Sequence, residues 1–157
     1  MDATYLPSWR TASALNVPED LQGAFMLRFY VIALCSGLVD RAYWWRLVSH
    51  GFGLVDERAE GGWRERAGYG MLVHFLKTLG EATFLEKLPA EEGCHLLKFR
   101  AGEDTLVMGW ANGRTWAGAL PFRFAEVRDA VGAPLGGEVA LGDLPVYFLG
   151  VSEAGGD

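Results

Sequence analysis

The hydrophobic pattern of this chain changes period near Gly80, and this change constrains the fold more than any other feature of the sequence. Before Gly80, apolar residues recur every three to four positions, which is typical of amphipathic helices. After Gly80, short segments alternate apolar and polar residues between turn-forming residues, which is typical of antiparallel strands. The pattern predicts an α/β half over residues 1–80 and an antiparallel β domain over residues 81–157.

The first half is predicted to contain two helices and one strand. The first helix begins at Pro18, whose fixed φ suits the first helical position, and Gly37 is a natural stop after it. The second helix covers residues 63–79 and ends at Gly80. Between the helices, residues 41–47 are apolar almost throughout, which indicates a strand covered on both faces.

The second half is predicted to contain seven short strands. They cover residues 82–88, 94–100, 105–110, 115–120, 124–129, 138–141 and 146–149. The sequences Ala-Gly-Glu-Asp at 101–104 and Asn-Gly at 112–113 are hairpin-forming turns.

Composition excludes several classes of protein. Half of the 157 residues are hydrophobic, which is enough for a folded core, and the net charge is −6 with no basic cluster, so no nucleic-acid partner is expected. The longest apolar stretch is too short to span a bilayer. The N-terminal residues have no charged n-region or apolar h-region, so we expect no signal peptide and a cytoplasmic location by default.

The candidate binding residues are Trp44, Trp45 and His50. The two indoles end the apolar run at 41–47, and His50 lies in the long, glycine-punctuated loop that follows. Indole faces stack on the C–H groups of sugar rings, and the indole N–H can donate a hydrogen bond. Adjacent strand residues point to opposite faces, so one indole can line a site while the other packs in the core. A structural role for His50 is equally open.

The order of these elements resembles a known class of enzyme. The resemblance rests on three motifs within residues 18–150: Tyr43-Trp44-Trp45-Arg46-Leu47, Gly53-Leu54-Val55-Asp56 and Pro145-Val146-Tyr147. It is similar to the C-terminal end of bacterial glycoside hydrolases of the retaining clan that includes the family 39 xylosidases and iduronidases. The likeness is greatest to hydrolase-like proteins encoded with surface-polysaccharide genes.

This resemblance implies both a fold and a function. The implied fold is the last βα units of a (β/α)8 barrel in residues 1–80, followed by a C-terminal antiparallel β-sandwich in residues 81–157. The implied parent hydrolyses glycosidic bonds in poly- or oligosaccharides, and this part of it supplies aromatic residues of the sugar site. The expected partners are carbohydrate and either the missing N-terminal portion of the barrel or a second copy of the chain.

A retaining glycosidase needs two carboxyl groups about 5 Å apart, and the resemblance transfers neither of them to this sequence. Asp56 and Glu57 follow the loop, but solvated surface charge is the favoured interpretation of both. We therefore predict no catalytic residue and no activity in the chain alone. The alternative function is a non-catalytic β-sandwich module that binds carbohydrate or another protein.

No metal site and no cofactor are predicted. Cys94-His95 supplies two adjacent ligand types, but no second pair lies at zinc spacing. Trp110 and Trp116 flank the Asn112-Gly113 turn. Packing is favoured for these two tryptophans, with a sugar platform on the β half as the alternative.

Overall fold

The computed structural model describes residues 18–50 and 53–153 of the chain. The expectation that the chain has no signal peptide concerns N-terminal residues, which lie outside these ranges. The chain divides into two units, and the boundary along the sequence falls between Gly70 and Met71. We call the described residues up to Gly70 unit 1 and those from Met71 onward unit 2.

Helix α1 (Glu19–Cys35) confirms the first predicted helix. Pro18 occupies the N-cap position, and Gly37 takes a positive φ of 69° just beyond the C-terminal end. Apolar side chains lie on several sides of this helix, so some of them are buried and others are exposed to solvent. Leu27 is fully buried, whereas Phe29 is 61% exposed.

The rest of unit 1 is built around a short antiparallel pair, β1 (Val55–Asp56) with β2 (Arg64–Glu65). A single parallel bridge joins Val48 to Val55. This pair holds the loop that follows the tryptophans against the segment that leads into the second helix. It thereby fixes the positions of the acidic and basic side chains described below.

The predicted strand at residues 41–47 is wrong. The segment contains no strand residues and joins no sheet of the described residues. The Leu47 carbonyl accepts hydrogen bonds from the N–H groups of Leu54 and Val55, at 2.8 and 2.9 Å, but these do not form a ladder. A strand needs a hydrogen-bonding partner, which local sequence cannot supply. Apolar composition alone was therefore not sufficient to predict a strand.

Helix α2 (Ala67–Leu79) is the second predicted helix, and it begins four residues later than expected. The Gly80 N–H donates to the Leu76 carbonyl at 2.9 Å, which closes the last turn at the predicted glycine. The residues from Met71 onward belong to unit 2, where Met71, Phe75 and Leu79 are buried.

Unit 2 is dominated by an antiparallel sheet of five strands. In chain order they are β3 (Thr83–Lys87), β4 (Cys94–Ala101), β5 (Asp104–Ala111), β7 (Glu126–Arg128) and β8 (Val146–Leu149). Their order across the sheet is β3-β4-β5-β8-β7. A separate antiparallel pair joins β6 (Phe122–Arg123) to β9 (Ser152–Glu153). The predicted hairpin at 101–104 is confirmed, because Ala101 pairs with Asp104 around Gly102 at a φ of 64°.

The five-stranded sheet is covered on both faces. On one face Leu96, Val107 and Phe148 form a hydrophobic cluster with Phe122 from β6. On the other face Tyr147 contacts His74 of α2, with ring centroids 4.7 Å apart. This arrangement follows from the two-residue alternation of strand side chains.

The predicted fold class is wrong. The described residues contain two helices and mainly antiparallel strands, with no (β/α)8 units, and one five-stranded sheet replaces the expected β-sandwich. The predicted strands at 115–120 and 138–141 reduce to one bridge between Trp116 and Leu141. Gly118 lies inside the first segment, Gly137 and Gly142 flank the second, and β5 pairs with β8 instead of continuing through the turn at 112–113.

Candidate functional site

The most exposed aromatic side chains of the described residues lie in unit 1. Tyr43 is 76% exposed and Trp45 is 78% exposed. They are two residues apart in sequence, and we call the pair the aromatic strip. The Arg46 guanidinium lies 5.2 Å from the centre of the Trp45 ring, a cation–π contact that orients the indole.

Trp44, between the two strip residues in sequence, is half-buried. It lines a cavity of about 10 Å³ together with Met26, Leu54 and Arg66. A cavity of that volume holds about one water molecule. It has no room for a sugar ring, so Trp44 is placed for packing and Trp45 is placed for contact with a ligand.

Four charged side chains from three segments form a cluster behind Trp44. Arg64 donates two hydrogen bonds to the carboxylate of Glu19, at 2.9 and 2.6 Å. Arg66 donates to Asp56 Oδ2 at 2.9 Å and lies 3.7 Å from Glu19 Oε1. We call Glu19, Asp56, Arg64 and Arg66 the charge cluster. Its two acids and two bases balance, which offsets the cost of burying Asp56 and Arg66.

His50 is tied to this cluster through its backbone. The Nη2 of Arg66 donates to the His50 carbonyl at 2.8 Å, while the ring Nδ1 lies 3.1 Å from Glu57 Oε1. A backbone hydrogen bond to its own carboxylate and then the contact with His50 hold the pKa of Glu57 below its usual range. The structure therefore gives His50 a defined position beside the charge cluster.

The arrangement does not supply a glycosidase carboxylate pair. The expectation that Asp56 is a solvated surface charge is wrong, because its side chain is buried against Arg66. Glu19 is held by both arginines, and Glu57 faces His50. Carboxylates held by guanidinium groups in charge-assisted hydrogen bonds are poorly placed to protonate a leaving group or to attack an anomeric carbon.

The two tryptophans of unit 2 are packing residues. Trp110 is 1% exposed, stacks on the His95 ring at 4.6 Å, and donates from Nε1 to Asn112 at 3.1 Å. Trp116 packs beside the hydrophobic cluster. Its indole Nε1 makes no well-formed hydrogen bond with the described residues. Trp116 nevertheless lowers the pKa of Glu91 below its usual range, and Arg114 lowers it further.

Cys94 and His95 are separated by the alternation of β4. Cys94 is buried and accepts a hydrogen bond from Arg114 at 3.3 Å, whereas His95 stacks on Trp110. Across residues 18–50 and 53–153, no group of three or more His, Cys, Asp or Glu side chains is placed to hold a metal ion. Over the same ranges, neither helix is long and apolar enough to cross a bilayer.

Comparison of the chain with protein-family models, with curated proteins and with solved structures gave no match. The site must therefore be interpreted from its own geometry.

Sequence reasoning selected Trp44, Trp45 and His50, and it missed the contribution of Tyr43. Tyr43 lies two residues before Trp45 and is almost as exposed, at 76% against 78%. The ion pairs of Arg64 and Arg66 were not foreseen, because Glu19 is 45 residues away from Arg64.

Proposed function

We propose that this chain is a non-catalytic part of a glycoside hydrolase and that it binds carbohydrate through the aromatic strip. The observation that carries the proposal is the exposure of Tyr43 and Trp45, two large aromatic side chains separated by one residue. Large aromatic side chains usually supply buried area, so a solvent-facing pair suggests a binding surface.

The chemistry of the strip suits a sugar. Tyr43 and Trp45 present flat apolar faces together with a hydroxyl and an indole N–H at their rims. The faces can cover the C–H groups of a pyranose while the rims exchange hydrogen bonds with its hydroxyls. Arg46 beside Trp45 adds donors to the same edge.

The non-catalytic part of the proposal rests on the charge cluster. Glu19 and Asp56 are engaged by arginine, and Glu57 is engaged by His50. Hydrolysis would thus need carboxylates from a catalytic polypeptide of the resembled class, with this chain supplying sugar contacts beside it.

A second candidate function is docking to another protein. One side of α1 exposes Phe25, Phe29 and Ile32, which are spaced as neighbours along one face of a helix. We call these three residues the α1 face. Exposed apolar surface of this kind favours a protein partner, and the catalytic polypeptide proposed above is the partner that fits both observations.

A pair of matched tryptophan variants tests carbohydrate binding. Trp45→Ala removes a strip residue, whereas Trp63→Ala removes an indole of unit 1 that is 73% exposed but lies outside the strip. Calorimetric titration with xylobiose, cellobiose and maltose should show that Trp45→Ala loses about 1–3 kcal/mol of binding free energy. Trp63→Ala should bind like the wild type.

The proposal fails if none of the three sugars binds the wild-type chain, or if Trp45→Ala and Trp63→Ala bind equally well. Circular dichroism of both variants checks that each is folded. Because both side chains are largely exposed, neither substitution should change the melting temperature by much.

A further inference from the structure

Unit 2 contains a cleft of about 550 Å³ that is separate from the aromatic strip. Its apolar wall includes Leu88, Phe122 and Val151. These residues belong to or pack against the hydrophobic cluster of the sheet, so the cleft opens where that cluster ends. Its volume lies in the range of small-molecule sites.

Strand register places the polar side of the cleft. Lys98 and Thr105 lie on the same face of the sheet as Leu96 and Val107, because side chains two residues apart share a face. The Val151 N–H donates to the Thr105 carbonyl at 2.9 Å, which holds the segment leading to β9 against the start of β5. Ser152 and Glu153 of β9 complete that wall.

The polar groups of the cleft can both donate and accept. The Lys98 ammonium donates to Glu86 Oε1 at 3.1 Å, and an ammonium has three donors in total. Thr105 and Ser152 each carry a hydroxyl that serves as donor or acceptor. Glu86 and Glu153 add carboxylate acceptors, so the lining holds two acids and one base.

The geometry points to this cleft as a binding site for a neutral, polyhydroxylated ring of mono- or disaccharide size. An anionic ligand would meet two carboxylates against one ammonium. A wholly apolar ligand would strip water from the Lys98–Glu86 pair without replacing its hydrogen bonds. A sugar ring instead offers C–H groups to Phe122 and Val151 and hydroxyls to the polar wall.

This inference does not depend on the aromatic strip, because the cleft is formed entirely by residues of unit 2. The two sites can therefore succeed or fail separately. A sugar that perturbs cleft residues but leaves Trp45 unchanged would support the cleft alone. A sugar that perturbs Trp45 but no cleft residue would support the proposed function and overturn this inference.

Amide NMR of the whole chain tests the cleft directly. The probes are D-glucose, D-galactose, D-xylose, maltose and cellobiose, with D-glucuronate as the anionic comparison. We expect at least one neutral sugar to shift the amide signals of Thr105, Phe122, Val151 and Ser152. Glucuronate should bind more weakly than glucose.

Three variants check the chemistry of the polar wall. Lys98→Met removes the ammonium but keeps most of the chain length, and it should weaken binding by about tenfold. Thr105→Val removes one hydroxyl with little change of shape and decides the matter if Lys98→Met does not fold. Glu103→Gln, in the β4–β5 turn, is the matched control and should bind like the wild type.

The inference is overturned if no neutral sugar shifts the cleft amides. It is also overturned if Thr105→Val and a folded Lys98→Met both bind as tightly as the wild type. Equal or tighter binding of glucuronate would contradict the electrostatic argument and the assignment of a neutral ligand.

Discussion

Neighbouring residues in this chain differ in exposure and therefore take different roles. Trp45 is exposed, while Trp44 lines a water-sized cavity beside Arg66. The sequence predicted that the two indoles would differ in exposure, but it did so from the alternation of a strand that the described residues do not contain. It was not sufficient to find the ion pairs behind them, because these join residues that only the folded chain brings together.

His74 is the residue whose environment predicts a pH effect. Its ring lies against Tyr147, and its Nε2 has no hydrogen-bond partner among the described residues. Burial lowers the pKa of His74, and Arg128 lowers it further, while Asp129 acts in the opposite direction and Lys77 adds a smaller lowering effect. The folded protein therefore resists protonation of this ring more than the unfolded chain does.

The sign of the resulting pH dependence follows from linkage. The unfolded chain takes up the proton near the ordinary pKa of about 6.5, and the folded chain does so only at lower pH. Stability that is present above pH 6.5 should fall as the pH decreases and level off below the folded pKa. Urea denaturation should show a shallower pH slope for His74→Gln. Equal slopes in both proteins would contradict this account.

Gly109 tests the packing of the sheet at a single residue. A Cβ atom there would lie 2.9 Å from Leu96 Cδ2 and 3.3 Å from side-chain atoms of Leu141 and Phe148. All three neighbours are buried and cannot move aside easily. Gly109→Ala should cost about 1–3 kcal/mol of unfolding free energy in a urea titration.

Gly142→Ala is the control for Gly109→Ala, because its Cβ would meet no atom of the described residues within 4 Å. It should change the unfolding free energy by less than about 1 kcal/mol. Similar losses in the two variants would mean that the cluster around Leu96 is not tightly packed.

At the scale of elements, the sequence correctly predicted helix ends and turns, which local chemistry determines. Helix α1 begins after Pro18, and the β4–β5 hairpin turns at Gly102, because proline and glycine restrict or permit specific backbone angles. Pairing partners are not a local property. Residues 41–47 and 115–120 have strand-like composition, yet in the part of the chain that the structure describes the first joins no sheet and the second pairs only through the bridge between Trp116 and Leu141.

The α1 face predicts self-association when its proposed partner is absent. The exposed side chains of Phe25, Phe29 and Ile32 would be shielded from water by contact with a second copy. Replacing Phe29 and Ile32 together with serine should reduce association, measured by light scattering on a sizing column, without lowering the melting temperature. Leu27→Ser, on the buried side of the same helix, should lower the melting temperature instead.

A wild-type chain that stays at 17.2 kDa over a wide concentration range would contradict the role of the α1 face. So would a double variant that associates as strongly as the wild type. Either result would leave carbohydrate binding by the strip unaffected, because Tyr43 and Trp45 are not part of this face.

At the scale of the whole molecule, we expect no glycosidase activity. The two acids of the charge cluster, Glu19 and Asp56, are held by Arg64 and Arg66, so this pair is not available as acid/base and nucleophile. Purified protein should not turn over a panel of aryl glycosides. Turnover that is lost in Asp56→Asn or Glu57→Gln but retained in the matched Glu103→Gln variant would contradict this prediction.

The resemblance implied part of a (β/α)8 barrel, and the described residues do not form one. A parallel barrel needs strands that pair through non-local contacts, and the described residues pair into an antiparallel sheet instead. The functional proposal is separable from that fold, since binding depends on the exposed residues of a site and not on the architecture behind it.

The most direct test of the central claim is a sugar titration monitored through the indole N–H signals of the six tryptophans. Assignment by single Trp→Phe variants identifies each signal. The account predicts that a bound oligosaccharide shifts the Trp45 indole signal in a saturable way, while the signals of buried Trp110 and exposed Trp63 stay in place. A Trp45 signal that does not move with any sugar bound by the chain would contradict the proposed function.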